Sequence, residues 1–305
     1  MSFSLRHPPF LKPGDCLKVV APSGRLREFE AFEQGLEIWR SRGYRLELTE
    51  SWNACEGYLA GTDKQRRQSL ADAWFDPDCR GILCARGGFG SARLLEKWDW
   101  QEDGKATLTP KWTIGFSDIT ALLWSLATAG ISSVHGPVLT TIAAEPPESL
   151  QRLFDLVEGR PLAPLKGCGW GGGTACGRLF PANLTVATHL LGTPLQPSLK
   201  GAILALEDVS EAPYRLDRML THWRMLGALE GVAGIAIGRF SYCDTAVGVS
   251  SWTAEEVLRD RLGDLGIPVV SGLPFGHDGQ NWALPVGQLA RLDGDRGTLE
   301  VMNNE

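Results

Sequence analysis

Three short apolar runs, Cys16–Ala21, Gly81–Arg86 and Trp112–Phe116, each break off at a turn rich in glycine or serine. Runs of this length without polar alternation suit strands buried on both faces, as in a parallel sheet. A parallel pair cannot be closed by a hairpin and needs a crossover, usually a helix. Helical spacing follows the runs as required. Phe29, Phe32, Leu36 and Trp39 mark one helix, and Ile119, Leu122, Leu123 and Leu126 fall at i, i+3, i+4 and i+7 in another. Thr62-Asp63-Lys64-Gln65 reads as a capping box opening a helix that runs to about Phe75. Tyr44–Thr49 and Ile131–Val134 read as further strands. The expectation is an α/β fold: an N-terminal parallel sheet with helices on both faces over residues 1–157. Pro161, Pro164 and Gly169-Trp170-Gly171-Gly172-Gly173 then interrupt all periodicity, so 158–173 reads as a linker. A smaller C-terminal α/β domain, 174–305, follows. It has strands at Ala202–Leu206, Val232–Ile237 and Val269-Val270, helices opening at Pro213 and Thr253, and closing β-structure over Gln288–Met302.

Composition narrows the function. The 305 residues carry a formal charge of −6 with no basic run, which argues against a nucleic-acid partner. Seven cysteines, at 16, 55, 79, 84, 168, 176 and 243, are odd in number and lack metal-ligand spacing; there is no C-x-x-C and no H-E-x-x-H. Neither a metal nor another cofactor is expected, and the cysteine pattern suits a reducing compartment. Cys84, inside an apolar run, reads as inert packing. Met1–Phe10 has no signal-peptide character and no run reaches membrane-span length, so a cytoplasmic protein without a membrane partner is expected.

Ser117 lies where the Trp112–Phe116 strand turns into its helix. A serine there serves either as a helix N-cap or as a nucleophile lifted out of the sheet beside free N–H donors. Gly115-Phe116-Ser117-Asp118-Ile119 departs from G-x-S-x-G, with Ile119 where a second glycine is expected. Asp118 in the first turn suits the helix dipole. A serine nucleophile needs a histidine base and an acid to orient it. His7 lies in the N-terminal tail, His189 reads as packed in an apolar helix, and His222 as solvated. His135 and His277 both follow strands among Gly and Pro, and spacing does not choose between them. Glu207 ends the apolar Ala202–Leu206 run and is the best-placed acid; Asp208 competes, and a turn acid paired with Arg215 or Arg218 is the plainer alternative. Gly87-Gly88 after the Gly81–Arg86 run lacks phosphate-loop spacing but lets backbone N–H groups approach a ligand. Arg86 is a candidate for gripping a substrate carboxylate, with an ion pair as its ordinary alternative.

Four blocks resemble a known family. They are Cys84-Ala85-Arg86-Gly87-Gly88-Phe89-Gly90; Ile114–Thr120 (IGFSDIT) with His135-Gly136-Pro137; Leu206–Leu220 (LEDVSEAPYRLDRML); and Gly276-His277 with Leu284-Pro285-Val286-Gly287. In this order, over nearly the whole chain from about Lys12, they resemble the LD-carboxypeptidases of murein recycling. These are the S66 serine peptidases, which also include microcin C self-immunity peptidases. The resemblance implies a Ser117–Glu207–His277 triad and an oxyanion hole from the backbone N–H groups of Gly88 and Asp118. It also implies a flavodoxin-like first domain bearing the nucleophile, a second bearing Glu and His with the site between them, and commonly a homodimer. The implied reaction releases terminal D-Ala from muropeptide tetrapeptides. Phe180-Pro181-Ala182-Asn183-Leu184 departs from the family's Gly-Gly-Asn-Leu, and Pro181 excludes a positive φ in that loop. Two other functions fit the same residues: an S66-type amidase inactivating a peptidyl-nucleotide antibiotic, and a non-catalytic ligand-binding protein in which Ser117 only caps a helix and RGGFG forms an anion nest.

Overall fold

A computed structural model describes residues 5–100, 109–246 and 250–302. The chain divides into two compact units, residues 1–161 with 283–286 and residues 162–282 with 287–305. The first contains β1 (Cys16–Val20), α1 (Phe29–Ser41), β2 (Arg45–Leu48), α2 (Asp63–Trp74), β3 (Cys79–Cys84), α3 (Ser91–Leu94), β4 (Trp112–Gly115), α4 (Thr120–Thr128), β5 (Ser133–His135) and α5 (Pro147–Glu158). The second contains β6 (Leu165–Lys166), β7 (Cys168–Gly169), β8 (Thr174–Asn183), α6 (Leu184–Leu190), β9 (Ile203–Val209), α7 (Pro213–Met225), β10 (Gly234–Ser241), α8 (Ala254–Leu262) and β11 (Val269–Ser271). Then β12 (Leu284–Val286) rejoins the first unit, while β13 (Leu289–Asp293) and β14 (Thr298–Val301) complete the second.

The first sheet has the order β12-β5-β4-β3-β1-β2, with β12 antiparallel at one edge and the other five strands parallel. Without β12 this is the doubly wound order 2-1-3-4-5, the flavodoxin-like arrangement, whose ligand crevice opens at the carboxyl ends of the strands flanking the β1/β3 switch point. Leu17, Val19, Ile82 and Ile114 are almost wholly buried, as parallel strands covered on both faces require. Helix α4 is buried on every side from Thr120 to Leu126, which explains its nearly uninterrupted apolar sequence. The Thr62 capping box forms as its sequence indicates: Gln65 N–H donates to Thr62 Oγ1 (3.2 Å) and Thr62 N–H to Gln65 Oε1 (3.0 Å).

The second sheet has eight strands in the order β6-β14-β13-β8-β9-β10-β11-β7. Its centre, β8 to β11, is parallel, and both flanks are antiparallel. Two readings change here. The 158–173 stretch is not structureless, because it supplies β6 and β7. Its glycines permit close backbone approach, and a Cβ on Gly169 would run into the Gly294 carbonyl. Phe180-Pro181-Ala182-Asn183 is likewise no loop. It is the buried end of β8, in parallel register with Leu204–Glu207. Among the described residues no helix is long and apolar enough to cross a membrane. Residues 1–4 of the N-terminal segment lie outside the described residues.

Candidate active site

In the first unit, three loops follow three neighbouring strands: Pro22-Ser23-Gly24 after β1, Arg86-Gly87-Gly88 after β3, and Ser117 after β4. Ser117 opens a short 3₁₀ turn, Ser117–Ile119, leading into α4, and it has φ 61°. Left-handed backbone at a serine is strained and concentrates where a side chain must be aimed. The N-cap positions of this turn and of α4 are Phe116 and Ile119, so Ser117 does not stand where a helix cap would. The tight turn is made possible by Gly115, where an added Cβ would sit 2.8 Å from the Ile119 side chain. One glycine therefore suffices, and Ile119 occupies the position of the second. Gly87 lies directly against the serine: a Cβ there would be 3.1 Å from Ser117 Cβ and 3.2 Å from Oγ. Gly88 has φ 112°, a conformation reserved for glycine.

Asp118 does more than favour the helix dipole. Its Oδ2 accepts from Ser23 Oγ (2.5 Å) and Ser91 N–H (2.8 Å), and its backbone carbonyl accepts from Ser91 Oγ (2.6 Å). One buried carboxylate thereby ties the loop after β1 and the start of α3 to the turn after β4. A buried Arg66 adds a second tie, donating from Nη1 to the Pro22 and Gly90 carbonyls and from Nη2 to Asp63. Ser23, Arg66 and Ser91 carried no signal in the sequence, because the segments they join to one another lie 24 to 95 residues apart. Arg86 donates from Nε and Nη2 to the two carboxylate oxygens of Glu28 (3.0 and 3.3 Å).

In the second unit, Glu207 stands near the end of β9 with no exposed surface, and its Oε2 lies 2.7 Å from His277 Nδ1. With Nδ1–H donating a hydrogen bond to the carboxylate, the neutral imidazole carries its lone pair at Nε2. Glu207 Oε1 has no hydrogen-bond partner among the described residues. Gly276, with φ 118°, makes room for the pair, since a Cβ there would lie 3.0 Å from Glu207 Cβ and 3.1 Å from Oε2. The turn is held on both sides of the histidine. Gly276 N–H donates to Asn281 Oδ1 (3.1 Å), and Ser241 Oγ donates to the His277 carbonyl (2.9 Å). Burial resists the charged imidazole, but the charge and hydrogen bond of Glu207, with the charge of Asp208, outweigh it and raise the His277 pKa above its ordinary value.

Asp208 faces different partners. Its two oxygens accept from Asn183 Nδ2, Val209 N–H, Thr185 N–H and Thr185 Oγ1, all at 2.8–3.0 Å. Burial and the neighbouring Glu207 charge still push its pKa up to about 6 against these hydrogen bonds. Asp208 thus fixes the start of α6, and Glu207 is the acid that meets a histidine. His135 ends β5, fully buried, with its ring 6.0 Å from that of Phe116. His189 is exposed rather than packed, with Nδ1 2.7 Å from the Thr185 carbonyl. Cys84 is fully buried, and burial drives its thiol pKa far up, as inert packing requires.

Residues 17–136 match the model of the LD-carboxypeptidase N-terminal domain and residues 176–292 that of the LD-carboxypeptidase C-terminal domain. The chain belongs to the LD-carboxypeptidase family, S66. It is 32% identical over 292 residues to the murein tetrapeptide carboxypeptidase of Pseudomonas aeruginosa, covering 91% of this chain and 93% of that one. A Synechocystis protein, provisionally named a carboxypeptidase, is 59% identical over 96% of both chains. Among solved structures, a muramoyltetrapeptide carboxypeptidase from Oxalobacter formigenes aligns with TM-score 0.81 at 27% identity, covering 94% of this chain and 97% of that one. MccF in complex with glutamyl sulfamoyl guanosine aligns with TM-score 0.86 at 23% identity over 99% of both, a likeness of fold.

Proposed function

We propose that this protein is a serine-type LD-carboxypeptidase that hydrolyses the L,D-amide releasing terminal D-Ala from muropeptide tetrapeptides. The observation that carries the reading is the buried Glu207 carboxylate on His277 Nδ1. Support comes also from the strained, uncapped Ser117 beside Gly87 and from the P. aeruginosa relative's name. In this reaction Ser117 Oγ attacks the scissile carbonyl carbon while His277 Nε2 takes its proton. The backbone N–H groups of Gly88 and Asp118 receive the oxyanion. Collapse breaks the C–N bond, His277 returns the proton to the departing D-Ala amine, and a serine ester remains. Water, deprotonated by the same imidazole, then hydrolyses the ester. Glu207 holds the ring in the productive tautomer and stabilises its charged form. The reading includes a cytoplasmic homodimer and requires no metal or other cofactor.

D-Ala release from a muramoyl tetrapeptide, measured for wild type and Ser117→Ala, tests the proposal. Release by the wild type alone is expected. Release by both makes Ser117 dispensable and overturns it. If neither releases D-Ala, muropeptides are not the substrate.

The pH dependence has a definite sign. The base works only as neutral imidazole, so kcat/KM falls as pH drops through the His277 pKa. Glu207 raises that pKa, so the acid limb is expected above the ordinary histidine value of about 6.5. Residual activity of Glu207→Gln should show the limb shifted to lower pH, because burial is then opposed by the charge of Asp208 alone. A pH–rate profile with its limb unmoved by Glu207→Gln would contradict the assignment of the base.

A further inference from the structure

We propose that the Arg86 guanidinium receives the terminal carboxylate of the peptide, the group that distinguishes a carboxypeptidase substrate from any other amide. The proposal rests on the Ser117 reaction above and adds a specificity residue to it. Glu28 occupies one edge of the guanidinium, taking Nε at 3.0 Å and Nη2 at 3.3 Å. A guanidinium has five N–H donors on two usable edges, and the second, Nη1 with the remaining Nη2 hydrogen, suits a second carboxylate. That edge lies at the catalytic loops. Nη1 is 2.5 Å from where a Cβ on Gly24 would stand and 3.1 Å from where one on Gly88 would stand. The Nη1 end of the guanidinium therefore lies beside Gly24 and Gly88, and Gly88 carries the proposed oxyanion donor.

Covalent geometry keeps the substrate's carboxylate close to the scissile carbonyl. In a substrate cut before its last residue, three bonds (C–N, N–Cα, Cα–C) separate the scissile carbonyl carbon from the terminal carboxyl carbon. The two lie within about 4 Å of one another. A carboxylate receptor must then stand one side chain's reach from the oxyanion donor, and Arg86 Nη1 does. The Arg86 side chain keeps 27% of its surface exposed, enough to be reached from solvent. A surface ion pair with Glu28 alone contributes only about 0–1 kcal/mol. Glu28 serves instead to hold the fork in one orientation, so that less rotamer freedom is lost on binding.

The test compares kcat/KM for a tetrapeptide ending in D-Ala with that for the same peptide ending in D-alaninamide. Wild type is expected to prefer the acid. Arg86→Gln should shrink that preference about 10- to 100-fold, mainly through KM of the acid. Arg86→Lys should restore part of it, because the charge returns without the fork. An Arg86→Gln enzyme that still prefers the acid as the wild type does overturns the assignment and leaves the Ser117 reaction standing. Equal losses on acid and amide also overturn it, since they indicate a structural role. A wild type that cleaves neither peptide removes the underlying reaction and the proposal with it.

Discussion

Ser117→Ala is expected to slow D-Ala release by ~10⁴-fold or more while leaving the melting temperature within experimental error of wild type. A loss of this size corresponds to about 5–6 kcal/mol of transition-state stabilisation, far more than one surface hydroxyl contributes to folding. Stability is expected to hold because Ser117 Oγ caps no helix. The strained φ of 61° is kept by alanine as it is by serine. The competing reading of Ser117 gives the opposite pair of results. A helix cap replaced by alanine costs about 1 kcal/mol of stability and nothing in turnover. Rate and melting curve measured on the same preparation therefore separate the two readings.

Glu207→Gln and Asp208→Asn, one residue apart, are expected to behave in opposite ways. Glu207→Gln should lower kcat by about 10³–10⁴, because an amide no longer fixes the Nδ1–H tautomer or stabilises the imidazolium. Its effect on stability should be smaller than that of Asp208→Asn, because a single hydrogen bond to His277 is at stake. Asp208→Asn should lower stability by roughly 2–3 kcal/mol, because whichever oxygen becomes NH₂ loses two donors that both carboxylate oxygens now accept. Its kcat should change far less. Denaturant unfolding and steady-state kinetics on both variants decide the matter, and a stable, inactive Asp208→Asn would reverse the roles given to the two acids.

The contrast between these acids shows where sequence reasoning stops. Side chains alternate across a strand, so Glu207 and Asp208 face opposite sides of β9. Nothing local says which side holds a histidine. His277 lies 70 residues from Glu207, and Asn183 and Thr185, which donate to Asp208, lie 25 and 23 residues before it. Asp118 is similar: its place in a first turn suggests a dipole effect, but its carboxylate is used by Ser23 and Ser91, brought in from two other strand ends.

What the sequence determined by itself is what short-range physics controls. Apolar runs bounded by glycine specify buried parallel strands, 3.6-residue spacing specifies the helices between them, and the Thr62 box opens α2 where its residues dictate. The ordered blocks around Arg86, Ser117, Glu207 and His277 carry the family. Tertiary structure alone decided the rest. It turned β12 back to the first sheet across some 150 residues of chain, and it made two short strands of a stretch whose glycines read as a linker. It set Ser117 in left-handed backbone and chose the acid that meets His277. Each of these depends on pairing between distant segments, whose free energy comes from partners that no local window of sequence contains.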